Sequence, residues 1–473
     1  MKYIELPYRY KKINNKYLVS NDHFDWLFLS ENEFNLLKEN KVKKGSELYK
    51  RLVGQNIIID NREQSEKLMD RRRQQLSLLF KGPTLHIIVV TKRCDQACVY
   101  CHAAANNSEN KAKYDLSMEN AKKFVDIIMT SPNPFISIEI QGGEPMLNFE
   151  VVKYIFEYSQ ELNKKYKKEI LYALVTNLQS MDDEKFEYLV KNKIALCTSL
   201  DGPKELHEKN RPTTHDFSSH DRVMEWMEKF KEKKLLVGAL VTVSRESLKY
   251  PKGIVDEYLR LGYKTVHLRE LNFLGKAVGT WNNISYTADE FLEFWKTAVD
   301  YIIELNKKGN LMTERRCNII LQKVLNKNEL NFLDLMSPCG AIIGQVAYNY
   351  DGKIYTCDEA RTMEEEIFQI GDTNTKSVPE MITNDKSIQI ISSTFNDSYY
   401  CEYCPYKAYC GICPVCHYGE TGSPISDVLR TSRCKILMAQ FDYIFEKLQD
   451  PKTRKILESW VNHNLYKDGI IFK

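Results

Sequence analysis

From residue 84 onward, short β-branched runs and amphipathic helical patterns take turns, and this alternation constrains the fold more than any other feature of the chain. Apolar segments of strand length fall at 85–90, 135–140, 170–176, 194–200, 236–243 and 265–271. Helical patterns lie between them near 117–129, 149–166, 183–191, 219–233 and 252–261. In the first of these, Ala121, Phe124, Val125, Ile128 and Met129 follow helical spacing behind the N-cap Ser117. Strands alternating with helices mean βαβ units and a parallel sheet. Six repeats are fewer than a closed barrel of eight needs, so the spacing predicts an open partial (β/α)6 barrel. Its site belongs at the carboxyl ends of the strands.

The rest of the chain sorts around this barrel, placed at 84–285. Residues 1–80 read as a small α+β unit. Strands at 17–20 and 26–30 flank the turn-forming Asn21-Asp22, and Ser30 caps a helix over 31–39 with Glu33 completing a capping box. A second helix near 46–53 and a short strand at 56–60 follow. A helical bridge over 286–338 leads to a cysteine-rich region, 339–434. The tail, 435–473, is read as helical over 435–463, with Ile436, Leu437, Phe441, Ile444, Phe445 and Leu448 on one face.

Charge excludes some functions. Sixty-seven basic side chains against sixty-four acidic ones leave no nucleic-acid footprint. The Arg71–Arg73 run and the lysines near 42–44 read as solvated helix faces. No apolar stretch reaches membrane-spanning length, and MKYIELPYRYKKINN lacks a secretory core, so a cytoplasmic protein is expected. In that reducing compartment thirteen cysteines point to metal rather than disulfides.

Cys94, Cys98 and Cys101 directly follow the first strand, at the functional rim. Three thiols within eight residues make a metal site that lacks a fourth ligand. This Cys-x3-Cys-x2-Cys motif after the first strand of a partial barrel resembles the radical S-adenosylmethionine (SAM) superfamily. The resemblance implies a [4Fe–4S] cluster whose fourth iron is chelated by the amino and carboxylate groups of SAM. An electron then splits the sulfonium bond and yields a 5′-deoxyadenosyl radical, the cofactor's own chemistry. Tyr100 stands where the family places an aromatic against adenine. Gly142, Gly143, Glu144 and Pro145 match its GGEP segment, with Glu144 expected on the SAM amino group. Ser199 and Asp201, read as sharing a strand face, would hold the ribose hydroxyls. Thr176 and Asn177 would line the same pocket, and Arg211 would pair with the SAM carboxylate. A three-cysteine zinc site using His102 is the alternative.

The remaining cysteines resemble the SPASM extension of radical SAM enzymes, which holds two auxiliary [4Fe–4S] clusters, for three in all. The pattern is Cys339-x12-Gly352-x4-Cys357, then Cys401-x2-Cys404-x5-Cys410-x2-Cys413-x2-Cys416, then Cys434. The resemblance assigns Cys401, Cys404, Cys410 and Cys434 to one cluster and Cys339, Cys357 and Cys413 to the other, completed or not by Cys416. The resemblance implies three residues between the third and fourth cysteines of the central run, whereas here only two separate Cys410 from Cys413. Zinc ribbons use similar pairs. Cys197 is read either as a small buried hydrophobe or as a hydrogen-atom donor; Cys317 is read as packing. Asp358 and Glu359, after Cys357, are either solvated or a general base for an oxidised substrate residue.

GPTLHIIVVTKRC, SLDGPKELHEKNRP, AYNYDGKIYTCDEAR and RCKILMAQFDYIFEKL look like the His-Xaa-Ser system maturases. That resemblance implies a precursor peptide as substrate and an electron donor such as flavodoxin or ferredoxin, with no nucleic-acid or membrane partner. Residues 1–80 resemble the winged-helix domains that bind a precursor's leader by strand addition; a plain structural cap is the other reading. The expected reaction is an oxidative intrapeptide crosslink, thioether or carbon–carbon. An epimerase, a formylglycine-generating sulfatase maturase and a non-enzymatic electron carrier or metal-binding adaptor are the alternatives.

Overall fold

The computed structural model describes residues 3–327, 329, 335–363, 365–425 and 427–462. Positions 328 and 330–334 of the expected bridge and the end of the tail, 463–473, lie outside the described residues. In the N-terminal unit β1 (Ile4–Glu5) pairs antiparallel with β5 (Ile58–Ile59), while β2 (Arg9–Ile13), β3 (Lys16–Ser20) and β4 (Trp26–Leu29) form an antiparallel sheet of their own. The capping box on helix Glu31–Lys38 forms: Ser30 N donates to Glu33 Oε2 at 2.8 Å, and Glu33 N to Ser30 Oγ at 3.4 Å. Helix Glu47–Gly54 follows. Helix Arg62–Leu76 buries only Leu68, so it carries no apolar stripe by which to be recognised. On that helix Arg71 corrects the expected solvated face: its Nη1 donates to buried Asp25 Oδ2 at 3.1 Å and to His23 O at 3.0 Å.

The barrel sheet consists of β6 (Leu85–Val89), β7 (Phe135–Gln141), β8 (Glu169–Thr176), β9 (Ala195–Ser199) and β10 (Gly238–Thr242), all parallel. The strand expected over 265–271 is two. β11 (Thr265–Val266) pairs with β13 (Thr313–Glu314), whereas β12 (Leu268–Arg269) pairs with β10. His267 sits between them because the chain changes neighbours there. The other edge differs more: β14 (Gln345–Tyr348) adds in parallel to β6, and β15 (Lys353–Tyr355) and β16 (Gln369–Asp372) follow antiparallel. Among the described residues the sheet thus has nine strands, in the order β12-β10-β9-β8-β7-β6-β14-β15-β16.

Alternation along the strands separates two faces. Ile136, Ile138 and Ile140 of β7 and Leu174 of β8 join Phe124, Val125 and Ile128 of helix Met118–Met129 in one buried core. By the same alternation Ser137, Glu139 and Gln141 take the opposite face, toward the barrel interior. Helix Ala288–Lys307 packs with Ser432–Lys447 and Pro451–Asn462 in a second core, which includes Ile436, Leu437, Phe441, Ile444, Phe445 and Leu448. The tail is therefore helical but broken before Pro451, whose ring and missing N–H suit only a helix start. Among the described residues no helix is long and apolar enough to cross a membrane.

Candidate active site and cysteine clusters

The turn after β7 is built against the strand that leads into the first cysteines. Gly143 N donates to Thr91 O and Glu144 N to Arg93 O, both at 2.8 Å. A Cβ on Gly142 would stand 2.4 Å from Thr91 O, and one on Gly143 2.1 Å from Arg93 O. Contact of backbone on backbone thus demands both glycines. Gly143→Ala is expected to cost more than about 4 kcal/mol, because backbone cannot yield as a side chain does. Gly54→Ala, with nothing within 4 Å of its Cβ, should leave the midpoint of denaturant unfolding nearly unchanged.

Pro145, itself buried, starts the short helix that aims Glu144 inward. Glu144 is fully buried, and its oxygens accept from Thr176 Oγ1 at 2.7 Å, Asn177 N at 2.7 Å and Met146 N at 3.0 Å. Burial, reinforced by Asp95, pushes its carboxyl up to about 8. Asn177 Nδ2 donates to Asp95 Oδ1 at 2.7 Å and approaches Cys94 Sγ at 3.6 Å. Asp95 also accepts from Ser180 and faces His215 Nε2 at 3.4 Å. Asp95, Ser180 and His215 escaped the sequence reading because only the fold brings them together.

The cysteine loop is laced to residues 210–214. Ala97 N donates to Pro212 O at 2.8 Å, Val99 N to Asn210 O at 3.0 Å, and Thr214 N to Asp95 O at 3.0 Å. That lacing brings Arg211 over the Tyr100 ring, 5.1 Å from its centroid, with Nη1 3.7 Å from Cys98 Sγ. Asp201 lies past the end of β9 and is fully buried, rather than on the strand face with half-buried Ser199. Its carboxylate accepts from the Tyr100 hydroxyl and stands 3.3 Å from Arg211 Nε. Burial opposes the Arg211 charge, but Asp201 and Tyr100 hold its pKa above the ordinary value.

On the other side, Gly275 closes over the loop with φ +59°. A Cβ there would meet His102 O at 2.1 Å, and Lys276 N donates to Cys101 O at 2.9 Å. His102 Nε2 lies 3.1 Å from Asp358 Oδ2, and Arg361 Nε donates to Asp358 Oδ1 at 2.8 Å. Burial would raise the Asp358 pKa, yet Arg361 and His102 hold it below the usual carboxylate range. A chain of contacts continues through Gln141 to Glu139, where burial raises the carboxyl to about 7. Glu359 instead faces Arg269, 3.9 Å away. Cys197 is buried on β9 beside Gly238 of β10, and burial, with help from Glu139, pushes its thiol up to about 12. Cys317 is buried in the helical core.

The cysteines gather into three sets. Cys98 acts electrostatically on Cys94, and Cys101 on Cys98. Cys401, Cys404 and Cys434 all act on half-buried Cys410. Cys339 and Cys413 act on Cys357, and Cys416 hydrogen-bonds Cys413, whose sulfur accepts from Cys416 N at 3.4 Å. Among the described residues no three His, Cys, Asp or Glu side chains close on one point as a single ion requires. A cubane spreads its ligands around four irons. Backbone N–H groups of Gln96, Ala341 and Ala360 also reach Cys94, Cys339 and Cys357 sulfurs at 3.4–3.5 Å, as thiolate ligands favour.

Residues 88–257 match the Radical SAM superfamily. Over 334 residues the chain is 25% identical to a cysteine-type anaerobic sulfatase-maturating enzyme of Clostridium perfringens, covering 69% of this chain and 85% of that one. The structure of native anSMEcpe with bound AdoMet superposes with a TM-score of 0.66 at 21% identity, covering 79% of this chain and 99% of that one. Streptococcus suis SuiB bound to precursor peptide SuiA superposes with a TM-score of 0.55 at 16% identity, covering 89% and 97%. Residues 88–257 thus match a radical SAM domain, and the fold around them is an α/β partial barrel shared with these structures.

Proposed function

We propose that this radical SAM domain serves a SPASM-type peptide maturase, nearest to the His-Xaa-Ser system maturases. It would abstract hydrogen from a ribosomally made precursor peptide and close an oxidative intrapeptide crosslink, thioether or carbon–carbon. The observation that carries this reading is the gathering of eight cysteines into two sets of four beyond the SAM barrel. When bound, SAM and the clusters supply one-electron chemistry: a hydrogen-abstracting radical in the barrel and electron acceptors beside it.

The chain's own residues hold and orient. Cys94, Cys98 and Cys101 would ligate the first cluster, and Cys401, Cys404, Cys410 and Cys434 the second. Cys339, Cys357 and Cys413 would hold the third, with Cys416 beside Cys413 as its fourth ligand. Tyr100, Gly142, Gly143, Glu144, Pro145, Thr176, Asn177, Ser199, Asp201 and Arg211 would shape the SAM pocket. Asp358, kept ionised by Arg361 and His102, would accept the substrate proton, with Glu359 the other candidate. The N-terminal sheet supports a peptide partner: β2 and β4 are its edges, to which a leader strand could add. The likeness to a peptide-bound SuiB also reaches over more of this chain than the likeness to the maturase. An electron donor of flavodoxin or ferredoxin type would reduce the first cluster.

Two observations favour other outcomes on the same scaffold. The similarity to a cysteine-type anaerobic sulfatase-maturating enzyme and the Cys357-Asp358 pair suit formylglycine formation. The protonated Cys197 thiol inside the barrel suits hydrogen return in epimerisation. Coexpression with the short peptide of a neighbouring reading frame separates them. A crosslink removes two hydrogen atoms from the peptide mass. An unchanged mass with Cα deuterium from heavy water identifies an epimerase, and conversion of sulfatase-derived peptides alone identifies a sulfatase maturase.

A further inference from the structure

Where the barrel meets the cysteine-rich region, a small cavity is walled by Cys413, Cys416, Arg269, Arg316, Arg433, Glu270 and Glu359, with Asn272. Arg433 is 8% exposed and immediately precedes Cys434, so one residue touches the surroundings of both proposed auxiliary clusters. The chain is equally tight on the other side, where Cys410 and Cys413 are separated by only Gly411 and Ile412. Glu270, just past β12, anchors the arrangement: its Oε1 lies 3.6 Å from Arg433 Nη1, and its Oε2 accepts from Arg316 Nη2 at 2.7 Å.

One carboxylate thus serves two buried guanidiniums, those of Arg316 and Arg433. A buried cation is costly unless an anion lies beside it. Arg316 makes the need explicit: it is 2% exposed, and its Nε and Nη1 donate to nothing in the structure. A thiolate-ligated cubane is anionic and offers sulfur acceptors, so it meets both demands. Adding an electron to such a cluster increases its negative charge, which a fixed neighbouring cation stabilises in low dielectric.

We propose that Arg433 is the shared counter-charge of both auxiliary clusters, held at their junction by Glu270 with Arg316 behind it, and that it raises the reduction potential of each. This rests on the reading of two auxiliary clusters in the preceding section. Glu270, which partly neutralises Arg433, acts in the opposite sense. The arrangement places electron acceptance under the control of a residue that belongs to the wall between barrel and cluster region.

Potentiometric EPR on the anaerobically reconstituted full chain tests it. Arg433→Gln should move both auxiliary signals to more negative potential and leave the SAM-cluster signal in place. Glu270→Gln should move both auxiliary signals to more positive potential, and Arg433→Lys should stay near wild type. Unmoved auxiliary potentials in an Arg433→Gln protein of full iron content would overturn the proposal, as would movement of only one cluster. If Arg433→Gln fails to retain its iron, Glu270→Gln decides: a positive shift of both upholds the proposal, and no shift ends it. A wild-type chain without auxiliary signals would instead remove the two-cluster reading, and this inference with it.

Discussion

Replacing Cys94, Cys98 and Cys101 together by alanine is expected to leave a folded, coloured protein that no longer cleaves SAM. The wild-type chain should carry about twelve irons and the triple variant about eight, since each cubane contributes four. The loss is expected to be confined because the charges acting on Cys94 and Cys98 include their own loop and its neighbours Asp95, Glu144, Asp201 and Arg211. 5′-Deoxyadenosine release from the reduced enzyme should drop to background. Iron analysis and product chromatography together check this. Zinc in place of iron, or undiminished 5′-deoxyadenosine from the variant, would refute the assignment of the first cluster.

Arg211→Met should destabilise the fold by about 3–5 kcal/mol, the cost of leaving one member of a buried ion pair alone. Asp201 is fully buried, and its charge is offered only the Tyr100 hydroxyl, the Arg211 guanidinium and a long contact from Thr242 N at 3.4 Å among the bonds described. The double variant Arg211→Met, Asp201→Leu should recover most of the loss, because it removes the orphaned charge along with its partner. Denaturant unfolding of the four proteins gives the coupling directly. If the single variant unfolds at the wild-type midpoint, the Arg211–Asp201 contact does not act as a buried ion pair. Loss of SAM binding in the double variant, with stability restored, would separate the role of the pair in the site from its role in the fold.

The barrel was legible because its strands are apolar and β-branched and its helices keep a regular stripe. Elements without that contrast were not. β2 reads Arg-Tyr-Lys-Lys-Ile, helix Arg62–Leu76 is polar around nearly its whole surface, and β14 declares its partner only when β6 is in place. The same division runs through the site. Cysteine spacing and the GGEP turn are local and could be read directly. The contacts of Asp95 with Ser180 and His215 and of His102 with Asp358 join residues 85 to 256 positions apart, and no periodicity carries such a signal. Asp201 was misplaced by strand alternation because β9 stops at Ser199, after which face-counting no longer applies.

The parallel ladder between β6 and β14 bears on how this chain can be divided. Strand β6 delivers the first cysteines, and its outer side pairs with residues some 260 positions later. A fragment ending before Cys339 would expose that row of amide and carbonyl groups, an invitation to edge-to-edge association. Excision of residues 339–473 is therefore expected to yield aggregates rather than a stable barrel. The barrel and the cysteine-rich region are thereby joined through a single sheet.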